Sequence, residues 1–172
     1  IKLGNMASFP AVQYTDLIQF DVNGAAARPE GGVYLCSGWN GDLYFYDLVN
    51  PPQFLVTVQV PGLGGLGYTN GKLYGFGNFA SPKGIYEINT TTGAGTLKVD
   101  LTASGLLFFA LDGDPATGML YGFSEYGNSG LYSINPETGA LVRLAGTPPG
   151  SYGMFRGMAV GEAVVEGARR RL

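Results

Sequence analysis

Residues 73–93 read LYGFGNFASPKGIYEINTTTG and residues 120–139 read LYGFSEYGNSGLYSINPETG, one phrase written twice a little under fifty residues apart. Repetition at a period of about 40 to 50 residues marks an array of like supersecondary units. In each copy the run LYGF is followed by a Gly- and Ser-containing gap. A second run comes next, IYEIN or LYSIN, and it ends in an Asn-led turn that closes on Gly93 or Gly139. Apolar alternation at period two, bounded by such turns, reads as paired β-strands.

Working outward, VYLCSGWNGDLYFYDL from Val33 follows the same plan. It places Tyr34, Tyr74 and Tyr121 in equivalent positions of one strand, and Tyr44, Tyr86 and Tyr132 in the next. An apolar run precedes each copy, at 17–22, 63–68 and 106–111, and a further such run stands at 154–160. A β-branched or leucine-rich run follows each copy, at 54–60, 96–101 and 141–144. The unit is therefore four short strands. Turns at Asn70 (NGK), Asn89 (NTTTG), Asp112 (DGDPATG) and Asn135 (NPETG) carry the Asn, Asp and Gly that tight hairpins require. Gly and Pro interrupt every window long enough for a stable helix.

Four-stranded antiparallel units at this period predict an all-β, β-propeller-like fold. Three complete units, at about 17–60, 63–101 and 106–145, lie in a single domain spanning 1–172. The cluster Gly64, Gly65, Gly67 suits an innermost strand crowded near the axis, and the repeated Tyr and Phe residues are expected between neighbouring sheets. A fourth unit shows only an inner strand, 154–160, and a poor second one at 163–166. An N-terminal arm, 1–14, belongs to no repeat, and its segment 2–14 is expected to complete that unit, in its own molecule or in the next. The residues expected to meet in that completion are Leu3, Phe9 and Val12 on the arm, with Met154, Phe155 and Val160 on the strand. Two chains sharing one larger ring, or a piece of a longer propeller, are the other arrangements considered. Residues 161–172 read as a C-terminal tail.

Composition narrows the functional classes. Charged residues make up 13% of 172, net charge is −3, and no segment interleaves cations with aromatics, so nucleic acid is not an expected partner. Abundant Gly (29), Tyr (11) and Phe (10) fit a β-protein with many tight turns, and low charge with abundant Tyr, Thr, Ser and Asn suggests an extracellular surface. The chain starts at Ile1 with no signal peptide of its own, which fits a processed export product or a fragment. No apolar run reaches the length of a membrane span. The one cysteine, Cys36, allows no intramolecular disulfide and reads as a buried apolar residue.

Histidine is absent, which removes the commonest general base and every Ser-His-Asp or Cys-His arrangement. Asp112 and Asp114 are a close acidic pair, read as turn-capping residues rather than as calcium ligands. Carboxylate chemistry on this pair stands as a third functional class. GLGGLG at 62–67 lacks the helix and Lys-Ser/Thr of a nucleotide loop. Asn89-Thr90-Thr91 matches a glycosylation acceptor. No catalytic residue, metal ligand or cofactor is expected.

The stretch LYGFSEYGNSGLYSINPETGALVRL resembles the blades of secreted bacterial propellers, and the likeness extends over about 17–160. Many such proteins belong to the PEP-CTERM sorted class. The end of the chain, GMAVGEAVVEGARRRL, is similar to the two ends of that sorting tail. Val165, Glu166 and Gly167 stand where Pro-Glu-Pro is expected, and the hydrophobic helix before Arg169–Arg171 is missing. The resemblance implies an exported, cell-surface or extracellular bacterial protein.

These readings converge on a non-enzymatic structural or adhesive protein that associates with copies of itself, as an oligomer or filament, by completing an unfinished propeller. The alternative is a carbohydrate-binding module for surface glycans, with Trp39, Tyr126 and Tyr152 in loops as stacking residues beside Asn40, Asn128 and Ser151.

Overall fold

The turns fix the hairpins. Asn70 (φ 52°) and Gly71 (φ 74°) both take the left-handed conformation, as a two-residue type I′ turn requires, and join β5 (Leu63–Thr69) to β6 (Lys72–Gly77). At the next turn the Asn89 side-chain oxygen accepts the amides of Thr91 and Thr92, both at 2.9 Å, and leads β7 (Gly84–Ile88) into β8 (Gly95–Asp100). Asn135 repeats this device with the amides of Glu137 and Thr138, between β11 (Gly130–Ile134) and β12 (Leu141–Gly146). Asp47 does the same with Val49 and Asn50, between β3 (Asp42–Tyr46) and β4 (Gln53–Thr57).

With β1 (Val22–Ala27), β2 (Val33–Ser37), β9 (Phe108–Asp114) and β10 (Met119–Ser124), these strands form three four-stranded antiparallel sheets. Their orders are β1-β2-β3-β4, β5-β6-β7-β8 and β9-β10-β11-β12. The computed structural model describes residues 22–37, 40–126 and 128–146. Among them the only helical element is a 3₁₀ turn, Thr102–Ser104.

Two innermost strands differ from expectation. The first is Val22–Ala27, so the predicted run 17–22 overlaps it only at Val22 and otherwise lies outside the described residues. The third is Phe108–Asp114 rather than 106–111. Asp112, Gly113 and Asp114, expected in a turn, continue the strand by pairing with Tyr121, Leu120 and Met119. The arm 1–14, the fourth-unit strand 154–160 and the tail 161–172 fall outside the described residues.

The innermost strands β1, β5 and β9 pack side by side with almost no side chain between them. A Cβ built on Gly24 would lie 2.6 Å from the Gly64 carbonyl oxygen, and one on Gly65 would lie 2.5 Å from the Leu111 nitrogen. Side chains are therefore excluded where the backbones approach. The order of contacts also fixes direction. Gly64 meets Phe108, Gly67 meets Asp112, Gly113 meets Tyr68, and Thr69 Oγ1 donates to the Asp114 carbonyl at 2.8 Å. Positions advance together, so β5 and β9 run parallel and the second and third sheets present equivalent loops at the same end.

Apolar side chains fill the two spaces between sheets. Tyr34 and Leu43 of the first sheet meet Leu66, Leu73 and Tyr86 of the second. Tyr74, Phe76 and Ile85 of the second meet Phe108, Leu120 and Tyr132 of the third. Phe108 lies edge-on to Phe76 at 5.4 Å and to Tyr132 at 5.7 Å, an arrangement aromatic quadrupoles favour.

Candidate functional site

Side chains alternate across each strand, so every sheet presents one tyrosine row forward and one backward. Tyr34, Tyr74 and Tyr121 point toward the following sheet, and Tyr44, Tyr86 and Tyr132 toward the preceding one. Where a described sheet lies opposite, the ring is buried: Tyr34 is 9% exposed, Tyr74 0%, Tyr86 9% and Tyr132 4%. Tyr44 and Tyr121 face away from the other described sheets, and these two are half-buried. Met119 and Phe123, also half-buried, share Tyr121's face, and exposed Phe54 stands edge-on to Tyr44 at 5.7 Å. The two outward faces of the three-sheet body thus carry the same aromatic chemistry as its interior.

Charged groups at the sheet seams are already matched. Lys72 reaches Glu87 at 3.1 Å and Glu137 at 3.6 Å, while Lys98 reaches the same two carboxylates at 3.6 and 3.7 Å. Glu137 sits on the turn of the third sheet and the other three on the second. The Tyr74 hydroxyl adds a bond of 3.3 Å to Glu137. The two ammonium groups hold Glu137 below the usual carboxylate range, and burial, then the neighbouring carboxylates, push the Tyr74 hydroxyl up.

At the first seam the Arg28 guanidinium lies 5.3 Å from the Phe45 ring centre, 5.8 Å from Tyr34 and 5.9 Å from Tyr68. It donates to Glu30 at 2.7 Å, and that bond lowers the Glu30 carboxyl pKa. Both constellations are neutral in sum, which suits joints between sheets, although the buried Arg28 Nε has no hydrogen-bond partner among the described residues.

The remaining candidates for chemistry are structural in geometry. Asp114 accepts the Ala116 amide at 2.9 Å and the Thr117 hydroxyl at 2.6 Å, which is turn capping, while Asp112, within β9, accepts the adjacent Gly113 amide at 2.9 Å. No group of three or more acidic, His or Cys side chains able to hold a metal occurs among the described residues. Cys36 is buried against the Gly64 carbonyl, and burial pushes its thiol up to about 12.

Exposed aromatics stand at one end of the body. Tyr126, expected in a loop, lies between β10 and β11 and is 54% exposed. Trp39, Tyr152 and the association candidates Leu3, Phe9, Val12, Met154, Phe155 and Val160 lie outside the described residues. The structure adds a residue the sequence reading passed over: Phe79, 73% exposed, between β6 and β7. It follows the end of its strand by two residues, as Tyr126 follows Ser124 and Trp39 follows Ser37 in sequence. Strict repeat alignment was the signal that could have found it.

Both loops are fastened alike. The buried Tyr86 hydroxyl donates to the Pro82 carbonyl at 2.5 Å, and the Tyr132 hydroxyl donates to the Asn128 carbonyl. The Phe79 amide donates to Pro61 O at 3.3 Å. The Ser124 hydroxyl accepts the Leu107 amide at 3.2 Å and donates to Tyr126 O at 2.8 Å.

No family model matches the chain, and no curated protein matches it. Solved structures do share its fold. In the nidogen/laminin complex one chain matches at TM-score 0.60 and 15% identity, over 79% of this chain and 51% of that one. The computationally designed Ika4 protein matches at TM-score 0.51 and 13% identity, over 84% and 82%. The putative TolB from Agrobacterium tumefaciens matches at TM-score 0.51 and 17% identity, over 74% and 47%. The chain spans about half the length of the nidogen/laminin and TolB chains it matches. At these identities the likeness concerns architecture alone, and together with three sheets whose innermost strands converge it establishes that the chain has a β-propeller-like fold.

Proposed function

We propose that the protein is a non-enzymatic extracellular structural or adhesive component that associates with copies of itself by completing an open propeller. One observation carries this reading: of the six repeated tyrosines, only Tyr44 and Tyr121 are half-buried, and they occupy the two sheet faces that no described sheet covers. An aromatic sheet face gains stability by packing on a further sheet. In the proposed arrangement the arm 2–14 of one copy adds to the strand 154–160 of the next. Leu3, Phe9 and Val12 then lie against Met154, Phe155 and Val160. Strand addition supplies backbone hydrogen bonds, and a head-to-tail contact of this kind propagates into a filament. The low charge, the lack of histidine and the likeness of the repeat to exported propellers support a surface role without catalysis.

The test is particle size by light scattering and electron microscopy, across concentration, for the full chain and for a variant lacking residues 2–14. Concentration-dependent oligomers or filaments that disappear on deletion, with near-ultraviolet circular dichroism retained, are expected. A monomer at every concentration in both proteins overturns the proposal and points to closure within one molecule.

A further inference from the structure

The loop-end aromatics carry an inference independent of self-association. We propose that the end of the body bearing Phe79 and Tyr126 is a stacking platform for a neutral polysaccharide chain. The parallel course of β5 and β9 puts the β6–β7 and β10–β11 loops at the same end. At the opposite end the hairpin turns meet closely, with a Cβ on Gly118 falling 2.5 Å from the Asn70 side-chain nitrogen. The two ends therefore differ. One is sealed by capped turns, and the other presents large rings to solvent on loops held by hydrogen bonds.

Those rings are built to stay outside. Phe79 rests over Gly62, where a Cβ would come within 2.2 Å of the ring, so glycine there gives it a seat. The paired tyrosine hydroxyls fix each loop from beneath, at Pro82 and Asn128, and the Arg143 guanidinium donates to Ser129 O at 2.5 Å. A preorganised ring loses little entropy when a ligand settles on it.

The chemistry around the rings selects the occupant. Loop residues 78–83 and 124–129 contain one cation, Lys83, and one anion, Glu125, with side-chain amide and hydroxyl groups from Ser81, Asn128 and Ser129, while Asn78 and Ser124 are buried. Arg143, bonded to Ser129 O, and Asp100, near Tyr86, add one charge of each sign, so these groups together leave no net charge to attract a nucleic acid or an anionic lipid. A protein partner needs a continuous apolar centre within an interface of about 1,200 Å² or more. Here the two exposed rings stand on separate loops of two sheets. The C–H face of a sugar ring packs on an aromatic face while its hydroxyls bond to nearby amides and carbonyls, so separate rings with polar surroundings suit it. The backbones of two packed sheets lie about 10 Å apart, and rings carried on separate loops of two such sheets suit a chain of sugars rather than one.

The experiment is affinity electrophoresis of the full chain in gels containing soluble neutral polysaccharides, namely hydroxyethylcellulose, laminarin, xylan and mannan. Retardation by at least one is expected. Affinity should drop about tenfold for Phe79→Ala or Tyr126→Ala, more for the double variant, and little for Tyr126→Phe. Both positions are exposed, so unchanged thermal unfolding is expected to show that the fold is intact. The proposal is overturned if none of the four retards the protein, if the double variant is retarded as strongly as the parent, or if the substitutions change oligomer size instead.

Discussion

Gly65 and Leu111 bring two sheets together backbone to backbone: a β-carbon on Gly65 would lie 2.5 Å from the Leu111 amide nitrogen. Leu111 is paired with Gly122 in its own sheet, and Gly65 lies in the bulge between the Leu63 and Leu66 pairs, so an added methyl there meets paired main chain. Gly65→Ala is therefore expected to lower the unfolding free energy by about 1–3 kcal/mol or more. Urea denaturation followed by fluorescence measures this, and unchanged stability would show that the sheets separate easily.

Phe108 fills the space between the second and third sheets at 0% exposure, against Phe76 and Tyr132. Truncation leaves a cavity that flanking strands cannot close. Phe108→Ala should cost about 3–5 kcal/mol and Phe108→Leu distinctly less. The same denaturation experiment ranks the two, and equal costs would argue against the edge-on ring contacts.

Acid should loosen the joint between these sheets. Glu137 is held below its ordinary value of 4.5 by Lys72 and Lys98, and Glu30 by its bond to Arg28. A carboxyl lowered in the folded state stabilises the fold fully above its unfolded pKa, and this contribution is lost as pH falls through the folded value. The melting temperature is expected to decline as pH drops below about 4.5, with a smaller decline in Glu137→Gln. Salt should reduce the difference between the two proteins at neutral pH. Identical pH profiles would remove Glu137 from the account.

Alkali acts on the tyrosines. Burial raises the hydroxyls of Tyr68, Tyr74 and Tyr86 above the ordinary value of 10.0. The unfolded chain then releases these protons first, so stability should fall as pH climbs beyond about 10. Ultraviolet titration at the phenolate band is expected to show one class of tyrosines ionising normally and another only at higher pH or on unfolding. A single normal class would contradict the burial described.

Cys36, with its thiol pushed up to about 12, should ignore thiol reagents in the native protein and react once denaturant is added. Rapid native labelling would mean that the seam at Gly64 opens readily.

Most of the architecture was legible because the repeats carry strong local signals. Alternating LYGF and IYEI runs mark strands, and Asn89 and Asn135 mark turns through side-chain oxygens that cap following amides. The first innermost strand was missed for a physical reason. VNGAAA, at Val22–Ala27, is made of small residues because the backbone of β5 lies against it, and such a strand has little hydrophobic signature. Asp112–Asp114 misled in the opposite way. Gly113 resembles a turn residue, yet it serves close packing, since a Cβ there would meet the Tyr68 carbonyl at 2.2 Å. Tyr126 was found in its loop from local composition. Phe79 was passed over because its neighbours Ala80 and Pro82 look like an ordinary connection, and only the repeat register equates the two rings.

The common direction of β5 and β9 bears on anything assembled from this body. Copies joined flank to flank would all keep the same side up. Such a ribbon would have an underside of short turns and an upper surface that repeats its rings, so that lengthening the polymer would multiply its contacts with a surface without any new sequence.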